Sequence, residues 1–73
     1  MRDYHINIFW SDEDGCYVAD LPDLEACSAL GATPREALDE LEVARTVWLA
    51  AARAEGKPIP PPAYRPVIYE AVR

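Results

Sequence analysis

The stretch Tyr4-His5-Ile6-Asn7-Ile8-Phe9-Trp10-Ser11-Asp12-Glu13-Asp14-Gly15-Cys16-Tyr17-Val18-Ala19-Asp20-Leu21 decides the fold of this chain. Residues 4–10 alternate apolar and polar and are rich in β-branched and aromatic types, the period-two pattern of a half-buried strand. Ser11 to Gly15 supplies turn formers, with a glycine able to take positive φ, and residues 16–21 resume the pattern as a second strand. The two runs form a hairpin. Its register follows from the faces: pairing Trp10 with Gly15 sets Ile8 against Tyr17, Ile6 against Ala19 and Tyr4 against Leu21 on one apolar face. Pairing Trp10 with Cys16 instead scatters polar residues over both faces, so the shorter loop is expected. The second face then carries Phe9, Cys16 and Val18, which invite cover by a partner.

Beyond the hairpin, Pro22-Asp23 turns the chain and residues 25–30 read as a short third strand closed by Gly31. Thr33-Pro34-Arg35-Glu36 is the most specific local signal: Thr33 caps a helix, Pro34 takes its first position and Glu36 completes a capping box. The helix spans 34–55, with Leu38, Leu41, Ala44, Arg45, Trp48, Ala51 and Ala52 on one stripe and Ala37, Val47 and Ala54 beside it. Acids fill its first half and Arg45 and Arg53 its second, as the macrodipole favours. Gly56 ends it, and Pro58 prevents continuation. Residues 57–66 hold five of the seven prolines and form an extended strap; residues 67–72 alternate as a candidate fourth strand, on this subunit or another. The order β-β-β-α-β implies an α+β fold, a small antiparallel sheet of three to four strands with one helix on one face.

With 73 residues the chain is one domain, and a chain so short buries only roughly 60% of the surface it exposes when unfolded. A second copy is therefore an expected partner, as a homodimer or a higher homo-oligomer. Thirteen acids against seven basic residues give a net charge of −6, which opposes phosphate binding and favours basic partners. Residues 1–32 carry a net −6, residues 33–56 a net −2 and residues 57–73 a net +2. Cys16 and Cys27 fit neither a metal nor a redox motif and read as reduced thiols. No run is apolar enough for a membrane span or signal region, so a cytoplasmic protein with no membrane contact is expected. Six of the seven basic residues are Arg and Ala is abundant, as in GC-rich bacterial genomes.

The stretch Ile6 to Pro62 resembles the amino-terminal domain of HicB-like antitoxins. The likeness is carried by the hydrophobic strand, Asp12-Glu13-Asp14-Gly15, Cys16-Tyr17-Val18-Ala19-Asp20-Leu21-Pro22-Asp23-Leu24, and Cys27 shortly after. It continues through Gly31-Ala32-Thr33-Pro34-Arg35-Glu36-Ala37-Leu38, Val47-Trp48-Leu49 and Glu55-Gly56-Lys57-Pro58-Ile59-Pro60-Pro61-Pro62. The resemblance implies a partial ribonuclease-H-like fold and a non-enzymatic role: binding a small basic toxin that cleaves messenger RNA and occluding its active surface. Family members often add a carboxy-terminal DNA-binding domain. Eleven residues follow Pro62, so direct DNA binding is not expected.

Chemistry by the chain itself is not expected either. Ribonuclease-H-like catalysis needs carboxylates converging on metal from separate elements, whereas Asp12, Glu13 and Asp14 are adjacent in a turn. His5, Cys16 and Cys27 lack the paired spacing of a structural zinc site. No cofactor is called for. The partner-facing candidates are Asp12, Glu13, Asp14, Glu36, Asp39 and Glu40, which would steer a basic protein. The candidates for contact between subunits are Phe9, Trp10, Val18, Ile68 and Tyr69.

Overall fold

Two antiparallel strand pairings and one helix make up the architecture, and the computed structural model describes residues 3–66. The strands β1 (Asn7–Ser11), β2 (Cys16–Asp20) and β3 (Ser28–Gly31) form a sheet in the order β1-β2-β3, followed by α1 (Pro34–Glu55). The fold is the α+β one that the pattern implies. The candidate strand 67–72 lies outside the described residues.

The hairpin register differs from expectation. Ser11 pairs with Cys16, Trp10 with Tyr17, Phe9 with Val18, Ile8 with Ala19 and Asn7 with Asp20, so Trp10 does not oppose Gly15. The cause is Ser11, which stays in the strand and closes the loop. Its carbonyl accepts from Gly15 N at 2.9 Å, and its Oγ accepts from Asp14 N at 3.3 Å while donating to Asp14 Oδ2 at 2.9 Å. Gly15 takes φ 65°, which glycine adopts without penalty. The slip is two residues, so every side chain keeps its face even though each partner changes.

Residues 4–6 stay out of the ladder, and β1 begins at Asn7. Facing them past β2, Pro22 has no N–H to give to a pairing. The third strand also starts later than residue 25, because residues 21–27 coil into consecutive turns. Leu24 N donates to Leu21 O at 3.1 Å, Cys27 N to Leu24 O at 3.2 Å and Leu21 N to Cys27 O at 3.0 Å. Within them Ala26 sits at φ 59°, a left-handed conformation that costs a non-glycine residue about 1–2 kcal/mol. The coil in return buries Leu21, Leu24 and Cys27.

The helix keeps its expected limits. Thr33 Oγ1 accepts from Glu36 N at 3.1 Å and Pro34 opens the first turn. At the far end Gly56 takes φ 70°, and Lys57 N donates to Ala52 O at 2.8 Å. Of the expected stripe, Leu41 and Ala52 are buried together with Ala37 beside them, Leu38, Ala44, Arg45 and Trp48 are half-buried, and Ala51 is exposed, as are Val47 and Ala54. Small residues at 37 and 52 let the helix lie close, above all where Gly31 of β3 touches it. A Cβ on Gly31 would stand 2.7 Å from Glu36 C and 2.8 Å from Ala37 Cα. Ala19, Leu21, Leu24, Cys27, Ala37 and Leu41 form the core, with Tyr4, Ile6, Tyr17, Ala29, Ala44, Trp48 and Leu49 packed around it.

After the helix, residues 57–66 run without helix or strand, as their prolines require. Two fastenings hold this strap. Tyr4 Oη donates to Pro60 O at 2.6 Å, and Asp23 Oδ1 accepts from Ala63 N at 3.2 Å and Tyr64 N at 3.0 Å. The Tyr64 ring also packs on His5, with centroids 4.9 Å apart.

Candidate functional site

Strand direction gathers the acidic side chains that the sequence singles out. Tyr17 pairs with Gly31 next to the β1–β2 loop, and α1 begins three residues after Gly31, so the loop and the start of the helix share one end of the domain. Asp12, Glu13 and Asp14 stand exposed on the loop, and Glu36, Asp39 and Glu40 stand exposed on the first turns of the helix. Trp10 belongs to the same end. Its Nε1 donates to Asp12 Oδ1 at 2.8 Å, and its ring meets Tyr17 edge-on at 5.2 Å. The chemistry on offer is an exposed aromatic ring tied to one carboxylate, at an end of the domain whose exposed carboxylates can attract a basic surface from a distance. Among the described residues, no three His, Cys, Asp or Glu side chains cluster in a way that could hold a metal ion.

The expected subunit-contact residues do not form one patch. Phe9, Val18 and Leu30 align across the three strands on the face away from the helix, with Phe9 50% and Leu30 52% exposed. Trp10 points to the helix side, where it is 51% exposed because α1 lies mainly over β2 and β3. Neighbours along a strand face opposite ways, so Phe9 and Trp10 cannot share a flat interface. Ile68 and Tyr69 lie outside the described residues. Leu30, which the sequence reading did not place on this face, completes the row with Phe9 and Val18.

His5 and the cysteines have structural surroundings. His5 Nε2 is 2.7 Å from Asn7 Oδ1, and Asn7 Nδ2 donates to Asp20 Oδ2 at 3.2 Å, forming a polar row across β1 and β2. Both cysteines are free thiols. Burial pushes the Cys27 thiol above its ordinary value of 9.0; the Asp20 carboxylate adds to the rise and Arg45 opposes it. The unfolded chain therefore gives up this proton first, so the contribution to stability is complete below 9.0 and is lost as pH rises through the higher folded value. Two measurements check this. The difference in urea midpoint between wild type and Cys27→Ala should narrow as pH rises into the alkaline range, and iodoacetamide should modify Cys16 well before Cys27.

Trp48, read as a core residue, is only partly so. Its ring packs against the core, but its Nε1 donates at 2.8 Å to Glu25 O on the β2–β3 connection, and part of the ring stays open to solvent. Comparison with known proteins gives a distant relative. Over 47 residues the chain is 36% identical to UPF0150 protein ssl0259 of Synechocystis sp., and the matched stretch covers 64% of this chain and 64% of that protein. No family model and no solved structure matches the chain.

Proposed function

We propose that this chain is an antitoxin-like protein-binding module of a toxin–antitoxin system, acting in the cytoplasm of a bacterium. It neutralises a small basic messenger-RNA-cleaving toxin by covering its active surface, without catalysis of its own. One observation carries the reading: six exposed carboxylates, Asp12, Glu13, Asp14, Glu36, Asp39 and Glu40, share one end of the domain with the exposed ring of Trp10. Carboxylates steer a basic partner, and an aromatic anchor among them gives it a place to bury. The HicB-like order of motifs from Ile6 to Pro62, for which the resemblance implies a partial ribonuclease-H-like fold, supports the same role.

The test is co-expression with the product of the adjacent gene. The expected result is a short basic protein with a nuclease histidine that co-purifies with this chain and loses its RNA-cleaving activity in the complex. Reversing Asp12, Glu13 and Asp14 to Lys should slow association at low salt by at least tenfold. A pulldown from the native host that yields no such protein overturns the proposal.

The row Phe9, Val18 and Leu30 favours a second reading, in which the domain is a homo-oligomeric scaffold with no toxin. Exposed apolar rows on a sheet are places where a second copy can dock. Light scattering at micromolar concentration decides this reading: a stable assembly of the chain alone supports it, and a monomer removes it.

A further inference from the structure

At the end of the domain opposite the acidic loop, two adjoining hollows of about 260 and 370 Å³ share Glu25, Trp48 and Lys57 in their walls. The first adds Glu55 and the small side chains of Ala51 and Ala52; the second adds Asp23, Pro58 and Pro60. Their walls are fixed before any ligand arrives. The indole of Trp48 is held to Glu25 O at 2.8 Å, and the strap carrying Pro58 and Pro60 is fastened through Tyr4 at 2.6 Å and Asp23 at 3.0 Å.

Charge says what these hollows accept. Three carboxylates, Asp23, Glu25 and Glu55, face one ammonium, that of Lys57. Asp23 Oδ1 accepts two backbone N–H groups of the strap, and its Oδ2 is buried with no hydrogen-bond partner among the described residues. Lys57 Nζ reaches Glu55 Oε1 at 3.3 Å, so an internal cation already rests on the rim, through an exposed and weakly held contact. An aromatic ring, proline faces and surplus carboxylates together match a guanidinium, which stacks its plane on an indole while its N–H fork meets carboxylate oxygens. Phosphate groups of nucleic acid or membrane would be repelled.

The geometry points to an arginine-binding groove: the cleft between Trp48, Glu25 and the proline strap takes an arginine side chain from an extended basic segment of a protein partner. This second contact point lies outside the acidic end invoked above and does not depend on the partner being a toxin.

The full chain, labelled with nitrogen-15, is titrated with a capped peptide of alternating glycine and arginine, and with the same peptide carrying citrulline. The two indole N–H signals separate the surfaces, because Trp48 reports the groove and Trp10 reports the acidic loop through Asp12. The expected result is a saturable shift of the Trp48 signal with the arginine peptide and little with citrulline, whether or not the acidic end also draws the peptide and moves Trp10. Glu25→Gln with Glu55→Gln should weaken binding by about three- to tenfold. Lys57→Gln, which removes the competing ammonium from an exposed position, should tighten it by about two- to threefold. The proposal is overturned if citrulline shifts Trp48 equally, if only Trp10 moves, or if Lys57→Gln weakens binding. Those results leave the antitoxin proposal to its own co-purification test, and failure of that test leaves the groove to this one.

Discussion

Gly31→Ala should leave the domain mostly unfolded in buffer at room temperature. The methyl group would sit 2.7 Å from Glu36 C and 2.8 Å from Ala37 Cα, and both are backbone atoms of the first helical turns that cannot swing aside as a side chain would. Relief requires the helix to lift off β3 or β3 to bend away from β2, and either motion opens the core around Ala37, which is fully buried. Overpacking of this kind costs about 3 kcal/mol or more when no rotamer can absorb it. A core in a chain this short rarely supplies more than about 3–5 kcal/mol, so the substitution consumes most of the margin. Far-ultraviolet circular dichroism and a urea titration check this: the helix signal should be largely lost and the remaining transition broad. A midpoint equal to that of wild type would show that the helix does not rest on Gly31.

Leu41→Ala has the next largest expected effect, a loss of about 3–4 kcal/mol. Leu41 is 1% exposed and lies among Ala19, Leu21, Leu24, Cys27 and Ala37. Two of these neighbours are alanines with no side-chain torsion to rearrange, and the leucines are tied into the 21–27 turns by backbone hydrogen bonds. The cavity therefore collapses poorly, which places the cost in the upper part of the range seen for such truncations. Val43→Ala, two positions along the same helix at an exposed site, is the control and should change stability by less than about 0.5 kcal/mol. Equal losses at the two positions would show that burial does not set the effect; helix propensity alone would give a small gain at both, because alanine is the better helix former.

The reading of the sequence succeeded where a local rule acts through the chain's own neighbours. Thr33, Pro34 and Gly56 fix the ends of α1 because caps are made by residues adjacent to the helix. Period-two alternation fixed the two faces of the hairpin for the same reason. The register escaped because it turned on one hydroxyl, that of Ser11, which moves a four-residue loop one position along the chain, and the composition allowed either placement. The start of the third strand escaped because Ala26 adopts a conformation that nothing about alanine announces. Of the candidate site, the acids were legible and their gathering at one end was not, since that depends on β3 running back toward the hairpin loop. Joining Phe9 with Trp10 neglected the alternation that had already set them on opposite faces. The arginine groove lay beyond reach, as its walls come from residues 23, 25, 48, 51, 52, 55, 57, 58 and 60 and exist only once the strap is fastened.

That fastening bears on the order of assembly. Each strand pairing and the seat of the helix join elements that follow one another along the chain, so they close short loops and form early. The Tyr4 to Pro60 bond instead spans 56 positions and waits until the strap has left the ribosome. Sheet and helix can thus be in place while the strap is still being synthesised. A domain built in this sequence gains its groove as its final act of folding, and local opening of the strap can erase it again while the sheet and helix stay intact.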